Sequence, residues 1–216
     1  AFLVTFLTVF TALQVKAQKR LTEATITYSI VINTNNPSPK ASDMLDGATS
    51  IIYLKGNSSR SDIVSSLGTQ SIINDGKTGD VTILKDYGQQ KYMISLTADN
   101  WKQYNQKNEG VTFTYENEYK TIAGYKSQKA IGKLTNGNTF TVYFTKELLP
   151  VNKEFQYLNK NLPALAMEYE ATQGDTKVTY TVSNINLNLV PAAKFDIPKT
   201  GYRVMTYEES TRGGGQ

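Results

Sequence analysis

Residues Ile26, Tyr28, Ile30 and Ile32 alternate with Thr27, Ser29 and Val31, a period of two that predicts a strand with one apolar face and one mostly polar face. Asn35-Asn36-Pro37-Ser38-Pro39 then breaks the pattern with two prolines that cannot donate to a ladder, so it reads as a loop. A run of short, half-apolar segments follows: Ile51 to Leu54, Ser59 to Val64, Gln70 to Ile73, Val81 to Leu84 and Tyr92 to Leu96. Between them lie Lys55-Gly56-Asn57, Leu67-Gly68, Asn74 to Gly79 and Asp86-Tyr87-Gly88, each with the Gly or Asn that a tight reversal needs at positive φ. Strands of this length at spacings of about ten residues predict sequential antiparallel hairpins, not crossover helices and a parallel sheet.

After Leu96 the period changes. In Thr97-Ala98-Asp99-Asn100-Trp101-Lys102-Gln103-Tyr104, Thr97 is placed to cap a short helix, with Trp101 and Tyr104 on one of its faces. Val111, Phe113 and Tyr115 resume strand alternation, Ile122-Ala123-Gly124-Tyr125 reads as a turn into a weakly patterned strand near Ala130 and Ile131, and Phe140, Val142 and Phe144 mark another strand. A second short helix is expected from Asn152 to about Asn159, with Phe155 and Leu158 on one side and Pro163 preventing its continuation. Leu165, Met167 and Tyr169 form a strand face, and Gln173-Gly174-Asp175 turns into Val178, Tyr180 and Val182. The apolar parity then shifts to Ile185, Leu187 and Leu189, which requires a bulge near Ser183-Asn184. The expected fold class is mainly β: antiparallel hairpins in a curved meander that closes or half-closes on itself, with one or two short helices as lid or plug.

The first segment, Ala1 to Ala17, is an apolar run closed by Val15-Lys16-Ala17, the small-x-small pattern read by a signal peptidase. It reads as an export signal without its positively charged start, cleaved after Ala17, which makes the protein periplasmic or secreted. Residues 18–207 are then expected as one β-rich domain, and residues 208–216 as a flexible Gly-rich tail with nothing apolar to bury. The net charge is +4, with both signs interspersed, so nucleic acid is not an expected partner, while transient contact with an anionic membrane surface is.

The chain contains neither histidine nor cysteine. That removes the commonest general base, thiol nucleophiles, disulfides and the usual zinc ligands, so no catalytic residue, metal site or cofactor is expected. Ser127-Gln128-Lys129 lacks the Ser-x-x-Lys spacing, and no Gly-x-Ser-x-Gly elbow is present. Glu116 with Glu118, and Glu168 with Glu170, share strand faces as carboxylate pairs on a sugar hydrolase would, but each lies opposite an apolar face, as solvated positions do. Asp75 and Asp80 flank a glycine-rich turn without the alternating oxygens of a calcium loop. The tyrosines and Trp101 could form a sugar-stacking platform, although most are spaced as core residues.

Several segments carry a family resemblance: Tyr53 to Asp62, Ile72 to Gly79, Gln90-Lys91-Tyr92-Met93, Lys120 to Lys126, Thr141 to Thr145, Leu162-Pro163-Ala164 and Phe195-Asp196-Ile197-Pro198. Together they resemble a family of exported Gram-negative envelope proteins known only as a domain of unknown function. That family is similar in turn to the periplasmic lipoprotein carriers of the LolA and LolB type. The resemblance implies a half-barrel with an apolar cavity under a lid, and it places Arg60 where those carriers bear an arginine that meets a headgroup or the lid. Ser127 stands where family members often carry a cysteine.

The resulting expectation is a non-enzymatic binding protein that holds an acyl chain, lipid or lipoprotein. Its cavity wall would comprise Ile51, Tyr53, Ile83, Ile94, Phe140, Val142, Met167 and Tyr180, with Trp101, Phe155 and Leu158 in the lid. The alternative is an envelope interaction module whose exposed sheet edge docks a protein partner. Carbohydrate binding and a hydrolase built on Glu168 stand behind both.

Overall fold

The computed structural model describes residues 18–33, 45–173 and 176–212. Strands β1 (Lys19–Leu21) and β2 (Glu23–Asn33) are followed by the meander β3 (Thr49–Lys55), β4 (Ser58–Ser65), β5 (Gly68–Asn74), β6 (Val81–Tyr87) and β7 (Gln90–Leu96). Helix α1 (Ala98–Tyr104) and a 3-10 turn (Gln106–Asn108) lead into β8 (Thr112–Ile122), β9 (Tyr125–Lys133), β10 (Thr139–Thr145) and the short β11 (Leu148–Pro150). A kinked 3-10 segment (Glu154–Asn159) precedes β12 (Leu165–Gln173) and β13 (Thr176–Asn186), and a 3-10 turn (Ala192–Phe195) precedes β14 (Arg203–Thr206) and helix α2 (Tyr207–Arg212).

Twelve of these strands form one sheet in the order β14-β7-β6-β5-β4-β3-β2-β13-β12-β10-β9-β8, while β1 and β11 pair in parallel beside it. The sheet has two ends and does not close, which is the open half-barrel that the resemblance implies and one of the two outcomes the strand spacing allows. It consists of two meanders joined where β2 pairs with β13.

At that seam Ile26, Tyr28, Ile30 and Ile32 lie directly opposite Ile185, Val182, Tyr180 and Val178. Because directly opposed residues share a face, the apolar face is continuous only through the register shift between Val182 and Asn184, the predicted bulge. The same face continues through Ile52 and Leu54 of β3, Ile72 of β5, Val81 and Ile83 of β6 and Ile94 and Leu96 of β7. This is the concave side of the sheet. The β8–β9 hairpin closes on Ala123 and Gly124, at φ 47° and 83°, the two positive values that a tight two-residue reversal requires.

Helix α1 begins as its sequence predicts: Asn100 N–H donates to the Thr97 hydroxyl, and Asn100 Oδ1 accepts from the Thr97 N–H. The expected second helix is a 3-10 segment instead, kinked at Gln156 (φ −113°, ψ 47°). The Asp75 turn is a hairpin turn, with the Asp75 carboxylate accepting from Lys77 N–H and the Asp75 carbonyl accepting from Gly79 N–H. The expected signal segment, the Asn35–Pro39 loop, Gly174-Asp175 and Gly213–Gln216 lie outside the described residues.

The C-terminal segment holds the main surprise. After β13 the chain crosses the convex face of the first meander and ends as β14, paired in parallel with β7. Residues from Glu208, expected to have no structure to join, are helical as far as Arg212. Thr206 and Glu209 form a reciprocal cap at the start of α2, and Met205 and Tyr207 pack on the cluster around Ile83 and Trp101.

This crossing strap is fixed to the sheet at two points in its first half. Glu23 accepts from Val190 N–H at 2.9 Å and from Lys55 Nζ at 3.1 Å, and Lys55 Nζ also donates to the Val190 carbonyl at 2.9 Å. Further on, Arg60 Nη1 donates to the Lys194 carbonyl at 2.9 Å, and Lys194 Nζ stands 4.6 Å from the centre of the Tyr53 ring.

The Val190 N–H, and after it Lys55, hold the Glu23 carboxyl below its ordinary pKa. A carboxylate with a lowered folded pKa stabilises the fold above its unfolded value and loses that contribution as the pH falls through the folded one. Protonation of Glu23 should therefore loosen the strap only at pH values below the ordinary glutamate range. Amide exchange at Val190, corrected for intrinsic rate, is expected to accelerate there, and Glu23→Gln should abolish the pH dependence.

Candidate ligand-binding groove

The lid lies across the concave face, and its two pieces are joined by one polar contact. Trp101 Nε1 of α1 donates to Glu154 Oε2 of the 3-10 segment at 3.1 Å. Beneath it, Trp101 meets Tyr157 edge-on with ring centres 5.9 Å apart, and both pack on Val81, Ile83, Ile94 and Leu96. The Tyr157 hydroxyl donates to Glu109, which also accepts from Lys160 Nζ at 3.1 Å. The Tyr157 hydroxyl is the first cause of the lowered Glu109 pKa, with the charge of Lys160 adding to it.

Gln156 pins the lid to the opposite wall. It is buried, its Nε2 donates to the Ala164 carbonyl at 3.1 Å, and its Oε1 accepts from Ala166 N–H at 3.3 Å. Both ends of the amide are used, which is why a polar side chain is tolerated there. Lys153 Nζ adds a bond to the Leu162 carbonyl at 2.6 Å, and its burial lowers the pKa of its ammonium.

Between lid and wall a groove of about 620 Å³ remains open. Phe155 and Leu158 line it from the lid, and Phe140, Tyr169 and Tyr180 line it from the wall. Tyr169 and Tyr180 are stacked, with ring centres 4.8 Å apart and planes 4° from parallel, and burial raises the pKa of both phenols. Phe140 lies over Gly132 so closely that a Cβ there would sit 2.3 Å from its ring, so glycine is what allows the ring its position in the wall.

The expected site residues divide into four groups. Trp101, Phe155, Leu158, Phe140 and Tyr180 are brought together around the groove. Ile83 and Ile94 are on the concave face but covered by the Trp101–Tyr157 plug, and Val142 is buried in the cluster with Phe144 and Leu162. Met167 is wholly buried at a register shift between β10 and β12 and does not reach the groove.

Ile51 and Tyr53 require correction: they are on the convex face. Ile26 pairs with Ile52, so the odd-numbered residues of β3 point the other way. Arg60 is on that face too, opposite Tyr53, where it binds Asp62 at 2.7 Å, Ser71 Oγ at 3.1 Å and the strap carbonyl of Lys194. The place the resemblance implied for it, at the lid or a headgroup, is on the other side of the sheet.

Of the carboxylates offered for hydrolysis, Glu170 lines the groove and accepts from Thr141 N–H at 3.1 Å, whereas Glu168 and Glu118 lie outside it. Glu168 pairs across the sheet with Tyr143 and Thr181, accepting from Lys120 Nζ at 2.6 Å and from the Thr181 hydroxyl at 3.1 Å. Glu118 accepts from the Tyr143 hydroxyl, which is the first cause of its lowered pKa, and from Lys129.

Sequence reasoning missed the polar part of the lining. Ser59, Ser61, Asn74, Asn105, Asn136 and Asn159 all line the groove. Of these, Asn159 is 1% exposed and its Oδ1 has no hydrogen-bond partner among the described residues. Leaving such a group unpaired costs about 1–3 kcal/mol. An asparagine in a turn reads as turn chemistry in a sequence, so nothing there marks Asn159 as aimed at a cavity.

No protein-family model matches the chain, and no curated protein sequence matches it either. The half-barrel that the resemblance implied is present, whereas membership of the exported envelope family has no match to stand on. Solved structures share the architecture at low identity. An uncharacterized conserved protein from Thermus thermophilus aligns with a TM-score of 0.53 and 9% identity, over 86% of this chain and 91% of its own. A PNGF-II structure aligns with a TM-score of 0.45 and 14% identity over 86% of this chain, which spans only 31% of that protein. MucB in complex with MucA(peri) gives 0.42 and 8% identity over 82% of this chain and 54% of the other. The likeness to the Thermus protein is one of fold.

Gln156→Leu would strand the Ala164 carbonyl and the Ala166 N–H in a buried position. The variant is expected to lose about 2–4 kcal/mol of stability, read as a lowered denaturant midpoint, and to loosen the lid, read as faster amide exchange across 154–159.

Proposed function

We propose that this protein is an exported, non-enzymatic binding protein whose groove holds a ligand with a substantial apolar body, an acyl chain or lipid. The observation that supports this reading is the open volume of about 620 Å³ between the lid and the aromatic wall, within the size range of ligand sites. Phe155, Leu158, Tyr169 and Tyr180 are only partly covered by the protein's own atoms there, so a ligand would complete their burial. Each ligand methylene removed from water contributes about 0.8 kcal/mol, and about ten would offset the ordering costs of association with several kcal/mol to spare. Binding without chemistry is supported by the side chains themselves: Glu168 and Glu118 are engaged in pairs outside the groove, the two carboxylates that line it accept from Trp101 Nε1 and Thr141 N–H, and the chain has neither histidine nor cysteine. No helix among the described residues is long and apolar enough to cross a membrane. Export rests on the apolar Ala1 to Ala17 segment.

A second reading, docking of a partner's strand, has its own observation in β8. It ends the sheet order, and Tyr115 and Tyr119 along it are 49% and 45% exposed.

The chain has a single tryptophan, and it lines the groove, so ligand entry has a built-in reporter. Titration with saturated fatty acids of eight to fourteen carbons should shift Trp101 emission, with affinity rising about fourfold per methylene. Leu158→Lys should weaken binding at least about tenfold by placing a charge against the ligand. An emission spectrum that ignores every chain length would refute the proposal and leave the β8 edge as the better reading.

A further inference from the structure

The groove is not apolar throughout, and its polar groups are unspent. The Asn159 side chain is the clearest case, buried against the groove with an acceptor that nothing among the described residues satisfies. The turn it belongs to does not need an amide, because Lys160 N–H bonds to the Tyr157 carbonyl and Leu162 N–H to the Asn159 carbonyl through backbone alone. A leucine of nearly the same size would fill the position and avoid the unpaired group.

Facing the lid, Ser59 and Asn74 are cross-strand partners on the concave side, both buried, with Ser61 beside them. Their side chains make no hydrogen bond among the described residues. Neither do the hydroxyls of Tyr169 and Tyr180. Gln156 and Asn105, by contrast, spend their amides on the Ala164, Ala166 and Trp101 backbone. The groove therefore combines aromatic rings with one buried, unpaired amide oxygen and with hydroxyl and amide groups that no partner among the described residues engages. A bare hydrocarbon chain would bury these polar groups without answering them. A ring with apolar faces and hydroxyls around its edge answers both kinds of surface.

We infer that the groove recognises a saccharide ring, packed by its apolar face on the aromatic wall and donating a hydroxyl proton to Asn159 Oδ1. This rests on the groove being the ligand site. The ring belongs either to a free oligosaccharide or to the headgroup of a glycolipid whose chain occupies the apolar part.

Three probes, dodecanoate, dodecyl maltoside below its micelle concentration and maltotriose, test this by calorimetry and Trp101 emission on the full chain and on Asn159→Leu. Dodecyl maltoside is expected to bind about tenfold more tightly than dodecanoate, and Asn159→Leu to remove that advantage without weakening dodecanoate binding. The thermal midpoint of Asn159→Leu should be equal or higher, which separates recognition from folding. Binding of maltotriose as well assigns a free saccharide, and binding of the maltoside without maltotriose assigns a glycolipid headgroup. Equal binding of dodecanoate and maltoside, insensitive to Asn159→Leu, would overturn the inference and leave the acyl-chain reading standing. Silence from all three probes would overturn both.

Discussion

The structure depends on one pairing register, that of β2 with β13. Side chains in a strand alternate strictly, so a slip of a single residue at this seam would turn Ile26, Tyr28, Ile30 and Ile32 away from Ile185, Val182, Tyr180 and Val178. The extra residue between Val182 and Asn184 keeps them together, and the apolar surface that results runs through both meanders. Everything on the concave side follows from it. The plug of Trp101 and Tyr157 has Val81, Ile83, Ile94 and Leu96 to rest on, and the stacked Tyr169 and Tyr180 become a wall instead of an outer surface.

The lid converts that curved surface into a groove by filling only part of it. Over β6 and β7 the lid packs closely, and Ile83 and Ile94 are sealed. Toward the second meander the kinked 3-10 segment stands off from Phe140, Tyr169 and Tyr180, held at its distance by Gln156 on one side and by the Trp101–Glu154 bond on the other. An arrangement of fixed hydrogen bonds around an incompletely filled space is what distinguishes a preformed binding site from loose packing.

Much of the fold was legible because local chemistry and the global arrangement agree. Thr97 and Asn100 cap α1 as their spacing requires, the glycine turns close hairpins, and the parity change after Val182 marks its bulge. The placement of site residues failed where the sequence carries no alternation. Ile51, Ile52, Tyr53 and Leu54 are all apolar, so only pairing with β2 decides which two face inward, and the strap over Tyr53 explains why the outward pair is apolar too. The strap itself was unreadable from periodicity: β14 is four residues long, and its parallel partner β7 lies more than a hundred positions earlier in the chain. Asn159 gave no signal because its importance lies in a bond that is not made.

The same seam also sets the order in which the molecule can assemble. Glu23 and Val190, which share a hydrogen bond beside it, stand 167 positions apart, so the loop-closure entropy of joining the two meanders falls due only after nearly the whole described chain is available. Hairpins such as β5–β6 and β8–β9 are local and form early, whereas the sheet becomes continuous late, giving a high contact order and correspondingly slow folding. A chain built this way remains a set of unjoined hairpins until its last strands arrive.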